Sequence, residues 1–239
     1  MKFLDLSFDD PAFNLACDEA LLEAAEAGES GPVLRCWESP SYFVTLGYTN
    51  RAAVEANLAA CKAQNVPILR RASGGGTVLQ GPGCLNYALI YPIQAGQALN
   101  VGATNDFVMH KNCRIFSMVT GENIELAGHT DLAIEGRKFS GNAQKRKAGF
   151  FLFHGTILLD FDLELVQRLL LPPSKEPDYR ARRSHLEFIR NLPISRNDAK
   201  AALRHAWHAH RPENEVWPRE RTELLVEGKY RHDEWNYKF

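Results

Sequence analysis

The chain has 239 residues, 45% of them hydrophobic, and a formal charge of −1, which suits one large domain or two small ones around a sizeable core. The near-neutral balance gives no basic footprint for nucleic acid, no apolar run is long enough to span a bilayer, and Met1-Lys2-Phe3-Leu4-Asp5 lacks the apolar stretch of a signal peptide. Five cysteines, Cys17, Cys36, Cys61, Cys84 and Cys113, are odd in number, widely spaced and never in C-x-x-C, so they read as buried thiols of a cytoplasmic protein rather than a disulfide framework or a zinc site.

Asp10 before Pro11 is an N-cap and N1 pair, and Phe13, Ala16, Cys17, Ala20, Leu21 and Ala24 predict a helix that packs one stripe onto a core and stops at Gly28. Val33 to Trp37 and Tyr42 to Leu46 read as strands joined, hairpin-like, through Ser39-Pro40-Ser41. Trp37, just before that turn, is a core residue or a pocket wall. A helix follows from Asn50 to Asn65, with Val54, Leu58 and Cys61 at helical spacing, and Val66 to Leu69 leads as a strand into the most informative loop of the chain.

That loop is Arg70-Arg71-Ala72-Ser73-Gly74-Gly75-Gly76-Thr77-Val78. Two guanidinium forks followed by three glycines are an anion site by composition: arginine matches phosphate or carboxylate, and glycine lets backbone N–H groups approach a ligand. The frame Gly76-Thr77-Val78-Leu79-Gln80-Gly81 has Walker spacing, but Pro82 and Gly83 stand where Lys and Ser or Thr must reach the phosphates, and no G-x-G-x-x-G opens a helix after a strand. The loop belongs to neither common nucleotide class.

Cys84 to Tyr91 reads as a strand, Thr104 to Thr120 as a helix ended by Gly121, and Leu132 to Asp160 as mostly strands around Gly136-Arg137-Lys138-Phe139-Ser140-Gly141-Asn142-Ala143 and His154-Gly155-Thr156. Lys138 is placed to hold a ligand's negative charge or to guard an edge strand. Lys145-Arg146-Lys147 reads as a solvated turn and His154 as a hydrogen-bonded strand histidine. A short helix from Asp162 to Leu170, a loop from Pro172 to Pro177, and a helix from a capping box at Ser195 to Asp198 through Trp207 come next. His205, His208 and His210 fit a polar helix face better than a metal site. The tail from Lys229 to Phe239, with Trp235 and Tyr237, is expected to dock as a strand.

Taken in order, Leu34 to Pro40, Arg70 to Gly76, Leu85-Asn86-Tyr87, Gly136 to Ala143, His154-Gly155-Thr156 with Leu158-Leu159, and Glu234-Trp235-Asn236-Tyr237 resemble the motifs of the lipoate-protein ligase A family of the biotin/lipoate ligase superfamily, across nearly the whole chain. The resemblance implies an α+β fold related to class II aminoacyl-tRNA synthetases and biotin ligases, a mixed, largely antiparallel sheet flanked by helices, with residues 1–239 as one catalytic domain. It implies ATP-dependent activation of lipoate as lipoyl-AMP and transfer to a lysine of lipoyl-carrier domains, of the 2-oxoacid dehydrogenase E2 or H-protein kind. ATP and the adenylate would meet Arg71, Gly75, Gly76, Thr77, Val78, Leu79 and Lys138; lipoate would meet Trp37, Arg70, Ser73, Lys138, Ala143 and His154; Lys138 would be catalytic, and Mg²⁺ would accompany the triphosphate.

Two departures stand out. Gln80-Gly81 occupy the place of a frequent His-Asp pair, leaving the Mg²⁺ ligands unassigned, and the chain ends at the tail motif, so a separate accessory subunit is expected. The main rival, octanoyl or lipoyl transfer from an acylated carrier protein, uses a cysteine thioester and no ATP. In those relatives the nucleophile lies beyond the lysine motif, and here no cysteine follows Cys113. A non-catalytic lipoyl-domain-binding protein is the remaining alternative; Arg71 and Lys138 argue against it.

Overall fold

The computed structural model describes residues 1–93, 100–212 and 216–239. In chain order the elements are β1 (Lys2–Asp5), α1 (Pro11–Glu26), β2 (Val33–Trp37), β3 (Phe43–Leu46), α2 (Ala52–Glu55), α3 (Leu58–Ala63), β4 (Ile68–Arg70), β5 (Val78–Gln80), β6 (Cys84–Pro92) and α4 (Val101–Thr120). They continue with β7 (Ile124–Ala127), β8 (Asp131–Ile134), β9 (Arg137–Arg146), β10 (Phe150–Leu158), α5 (Leu163–Leu169), α6 (His185–Phe188), α7 (Arg196–Ala206), α8 (Arg219–Leu225) and α9 (Asp233–Asn236). The large sheet runs β1-β2-β6-β10-β9-β8-β7, with only β1 and β2 parallel, and a small sheet runs β4-β3-β5. This is the mixed, largely antiparallel sheet flanked by helices that the family resemblance implies.

Local chemistry sets most boundaries. Asp10 Oδ1 accepts the Ala12 N–H at 2.9 Å and Pro11 opens α1, while Gly121 adopts φ +70° to stop α4. One face of the large sheet carries α4 and α7 over a core that includes Phe116, Phe139, Phe151, Phe153 and Trp207. The other face carries α1, which is buried on nearly every side, Asn14, Asp18 and Glu19 included, because α8 and the tail cover its back. The single buried stripe expected for this helix is therefore too narrow.

Other expectations also shift. β2 and β3 form no hairpin: Ser39 Oγ donates to the Ser41 carbonyl at 2.7 Å and the chain leaves the large sheet for the small one. The helix expected from Asn50 to Asn65 is broken in two, because the Asn57 side chain caps α3 by accepting the Ala60 N–H and Ala56 is extended. At Ser195 the cap is one-sided, since the Asp198 carboxylate accepts from the Ser195 hydroxyl; the reciprocal box is at Ser184 and Glu187. Lys145 is not in a solvated turn but lies on β9 and reaches Glu19 of α1 at 2.5 Å. The tail docks as a π-helical turn, Val226–Tyr230, followed by α9, and not as a strand. Among the described residues no helix is long and apolar enough to cross a membrane.

Candidate active site

A cavity of about 830 Å³ opens on the α1 side of the large sheet, where the glycine loop, the strands β9 and β10 and the segment 173–180 converge. Its wall includes Trp37, Arg71, Gly75, Gly76, Thr77, Val78, Leu79, Lys138, Ala143 and His154. Ten of the candidate residues read from the sequence are thus brought together, although they span more than a hundred positions.

Arg70 and Ser73 are the exceptions. Arg70 is fully buried, and its guanidinium donates to the carbonyls of Gly47, Tyr48, Asn50, Trp235 and Asn236 at 2.8–3.0 Å. All three guanidinium nitrogens donate to backbone carbonyls, so this arginine staples the 47–50 turn to the tail, and it is not among the residues lining the cavity. Ser73 is also buried behind the wall. Its Oγ lies 2.5 Å from His154 Nε2 and accepts from Arg71 Nε at 3.0 Å.

Arg71 is different. Nε and Nη2 donate to Ser73 Oγ and to the carbonyls of Gly74 and Gly76, while Nη1 has no hydrogen-bond partner among the described residues. Burial brings its pKa down to about 10, which leaves it charged at neutral pH. Gly75 has φ +88°, and a Cβ there would lie 2.8 Å from Arg71 Nη2 and 3.3 Å from Ala143 Cβ. The loop therefore presses its backbone against both the guanidinium and β9. Thr77 Oγ1 is buried without a partner, and unpaired buried hydroxyls are uncommon unless a ligand completes them. Such an arrangement can hold an anionic group.

Lys138 Nζ sits 2.8 Å from Asp131 Oδ1, and Asp131 Oδ2 accepts from the Tyr179 hydroxyl at 2.8 Å. Burial, reinforced by the Asp131 charge, pushes the Tyr179 phenol far above its usual range, so it remains a donor. Behind His154 lies Asp18, whose Oδ2 is 3.8 Å from Nδ1 and whose Oδ1 accepts from Arg35 at 2.6 Å. Burial lowers the His154 pKa, the nearby Arg71 charge adding to it against the pull of Asp18. The ring is then neutral at pH 7, and Ser73 can donate to Nε2 while Nδ1–H faces Asp18.

Sequence reading did not single out Asp18, Asp131 or Tyr179. Asp18 carried one signal: a carboxylate amid Ala16, Cys17, Ala20 and Leu21 on a helix that otherwise buries apolar groups. Gln80 proves structural, accepting from Thr45 Oγ1 at 2.6 Å and donating to Asn86 Oδ1 at 2.5 Å. Among the described residues no group of three His, Cys, Asp or Glu side chains could hold a metal ion; Asp18 and Asp131 are each paired with a cation. Among the described residues no cluster is assigned to Mg²⁺. The thiols stand apart as well: none of the five cysteines lines the cavity. Burial raises Cys17 to about 11, Cys36 to about 12 and Cys84 further still.

Comparison with known proteins bears on the fold and the family. An octanoyltransferase LipM from Lysinibacillus sphaericus is 30% identical, covering 99% of this chain and 98% of its own length. A bi-partite lipoate protein ligase from Thermoplasma acidophilum, described with its E2 lipoyl domain, superposes with a TM-score of 0.83 at 22% identity over 99% of this chain and 95% of its own. A lipoate-protein ligase A bound with ATP gives 0.83 at 23% identity over 99% and 98%. Residues 10–205 match the model of the lipoyl protein ligase A/B catalytic domain. The chain is an enzyme of the lipoyl protein ligase A/B catalytic domain family.

Proposed function

We propose that this enzyme is an ATP-dependent lipoate-protein ligase, with residues 1–239 acting as one catalytic domain in the cytoplasm. One observation carries the choice within the family: the cavity wall includes the cations Arg71 and Lys138, beside the glycine loop and β9, and no cysteine. Acyl transfer from a carrier protein through an enzyme thioester needs an accessible thiolate. Adenylation needs what is present.

In this reading a lipoate carboxylate oxygen attacks the α-phosphorus of ATP, and the bond to the bridging oxygen breaks with pyrophosphate as leaving group. The two reactants are anions, and the positive charges of Lys138 and Arg71 offset their repulsion and the charge that builds in the transition state. Gly75 and Gly76 admit the phosphates to the backbone, Thr77 to Leu79 continue the nucleotide wall, and Trp37, Ala143 and His154 border the acyl chain. A neutral lysine amine of the lipoyl domain then attacks the acyl carbon, AMP departs, and the amine proton is lost. Mg²⁺ would neutralise the triphosphate; no residue here is assigned to hold it.

The second reading is octanoyl transfer, and the full-length likeness to a LipM octanoyltransferase favours it. One experiment separates the two: incubate the chain and an E2 lipoyl domain with lipoate, ATP and Mg²⁺, or with octanoyl-carrier protein and no nucleotide, and weigh the domain. Lipoylation that requires ATP is expected. Octanoylation without ATP would overturn the ligase reading. Because the Thermoplasma ligase is described as bi-partite, a further arm starts from synthetic lipoyl-adenylate. Modification from the adenylate but not from lipoate plus ATP would mean that activation needs a second protein, of the accessory kind expected from the sequence.

A further inference from the structure

Strand alternation makes the placement of Lys138 unexpected. Along β9, Gln144 donates to Asn105 of α4 at 2.6 Å, and Asn142 accepts from the Tyr87 hydroxyl, which Asn112 of α4 also bonds. Even-numbered residues thus face α4. Lys145 reaches Glu19 of α1, and Ala143 meets the glycine loop, so odd-numbered residues face the cavity side. A regular strand would send Lys138 toward α4 with Ser140, Asn142 and Gln144.

A β-bulge reverses this. Leu132 pairs with Ser140 and Ala133 with Lys138, so Phe139 is an extra residue in β9. Phe139 packs on Phe116 of α4 at a centroid distance of 6.3 Å, Ser140 Oγ stays beside Asn142, and Lys138 emerges on the cavity face. A bulge of this kind re-aims a side chain. The side chain then turns along the strand over Gly141: a Cβ built on that glycine would lie 2.5 Å from Lys138 Nζ, 2.6 Å from its Cε and 3.6 Å from Asp131 Oδ1.

Gly141 is not among the glycines with positive φ, so its backbone conformation does not require glycine, and glycine inside a strand weakens it. What the missing side chain leaves is a trough for the lysine. The geometry points to Gly141 as a positioning residue that lets the Lys138 stem lie flat over β9 and holds its ammonium against Asp131 at the cavity wall. Added there, a methyl group collides with the flexible end of the Lys138 side chain, while Asp131 Oδ1 at 3.6 Å is at ordinary contact distance. The fold can accommodate it, and the ammonium cannot stay where it is.

The test is Gly141→Ala, read three ways, and only the rate readout rests on the ligase reading. The thermal midpoint should stay at or above wild type, since alanine strengthens the strand. In lipoate-dependent ATP–pyrophosphate exchange, kcat should fall by at least about tenfold with KM for ATP nearly unchanged, because an ångström-scale displacement of a reacting group is worth up to a hundredfold. Reductive methylation with formaldehyde, scored by peptide mass spectrometry, should label Lys138 several-fold faster, as the ammonium is pushed off Asp131 into solvent, with other lysines unchanged. Methylation of Lys138 at the wild-type rate overturns the inference whatever the activity, as does unchanged kcat or a kcat loss that tracks a lower midpoint. If the wild-type enzyme alone shows no exchange, the rate readout falls away and methylation and the midpoint decide on Gly141.

Discussion

At the scale of single residues, the proposed ligase chemistry depends on positive charge placed where two anions must meet. Lys138→Ala should change the thermal midpoint far less than the rate, since the lysine is partly exposed and its ion pair lies at the cavity wall, yet remove a preorganised charge contact of about 3 kcal/mol, roughly a hundredfold in rate. Pyrophosphate exchange near the wild-type rate would show that its partnership with Asp131 is only structural. Gly75→Val should weaken nucleotide binding measured by calorimetry more than it lowers stability: the side chain would enter the space of Arg71 Nη2 and Ala143, and its φ of +88° adds strain of about 1–3 kcal/mol. Undiminished ATP affinity would rule out the loop as its cradle. His154 gives a pH signature. Its folded pKa lies below the ordinary value of 6.5, so below that pH the unfolded chain binds more protons than the folded one, and stability falls as pH drops toward the depressed value. His185 shifts the same way through burial. Midpoints should therefore decline on acidification below about pH 6.5, and less steeply in His154→Gln; equal slopes would mean the ring titrates normally.

At the scale of elements the tail is the decisive support. Asn236 Oδ1 accepts the Arg70 N–H at 2.9 Å, its backbone carbonyl takes Arg70 Nη2 at 2.8 Å, and Nδ2 donates to the Tyr230 carbonyl at 3.0 Å. Asn236→Ala strands two buried backbone groups, at about 1–3 kcal/mol each. It should lower the midpoint and raise KM for ATP through the loosened 47–50 turn, where Gly47 touches the Gly75 carbonyl. A KM unaffected at permissive temperature would separate the tail from the site. Most elements were legible because caps and periodicity are local: Asp10-Pro11 and Gly121 marked their helix ends, and Val33 to Trp37 its strand. The tail was not, because Trp235 and Tyr237 announce burial without saying whether a strand or a helical turn delivers it. Nor could sequence tell which of two adjacent arginines faces the ligand. Neighbours at a strand end point opposite ways, and only the packed structure shows Arg71 inward and Arg70 bound to carbonyls.

At the scale of the whole molecule the two sheets, α1 and the segment 173–180 border a charged cavity lined by no cysteine. The motifs disclosed this gathering of residues, while the bulge at Phe139 and the pairing of Asp131 with Lys138 and Tyr179 depend on strand register, which a sequence does not print. The staple at Arg70 also dictates an order of events. Its partners on α9 lie about 165 positions downstream, so during synthesis β4 and the glycine loop emerge from the ribosome long before anything can lock them. Until residue 236 arrives, a buried guanidinium has no carbonyls from the tail and its turn is free to wander. The nascent chain can therefore complete its large sheet, whose strands end at Leu158, while the glycine loop is still unlocked, and catalytic competence should appear only once residue 236 has emerged.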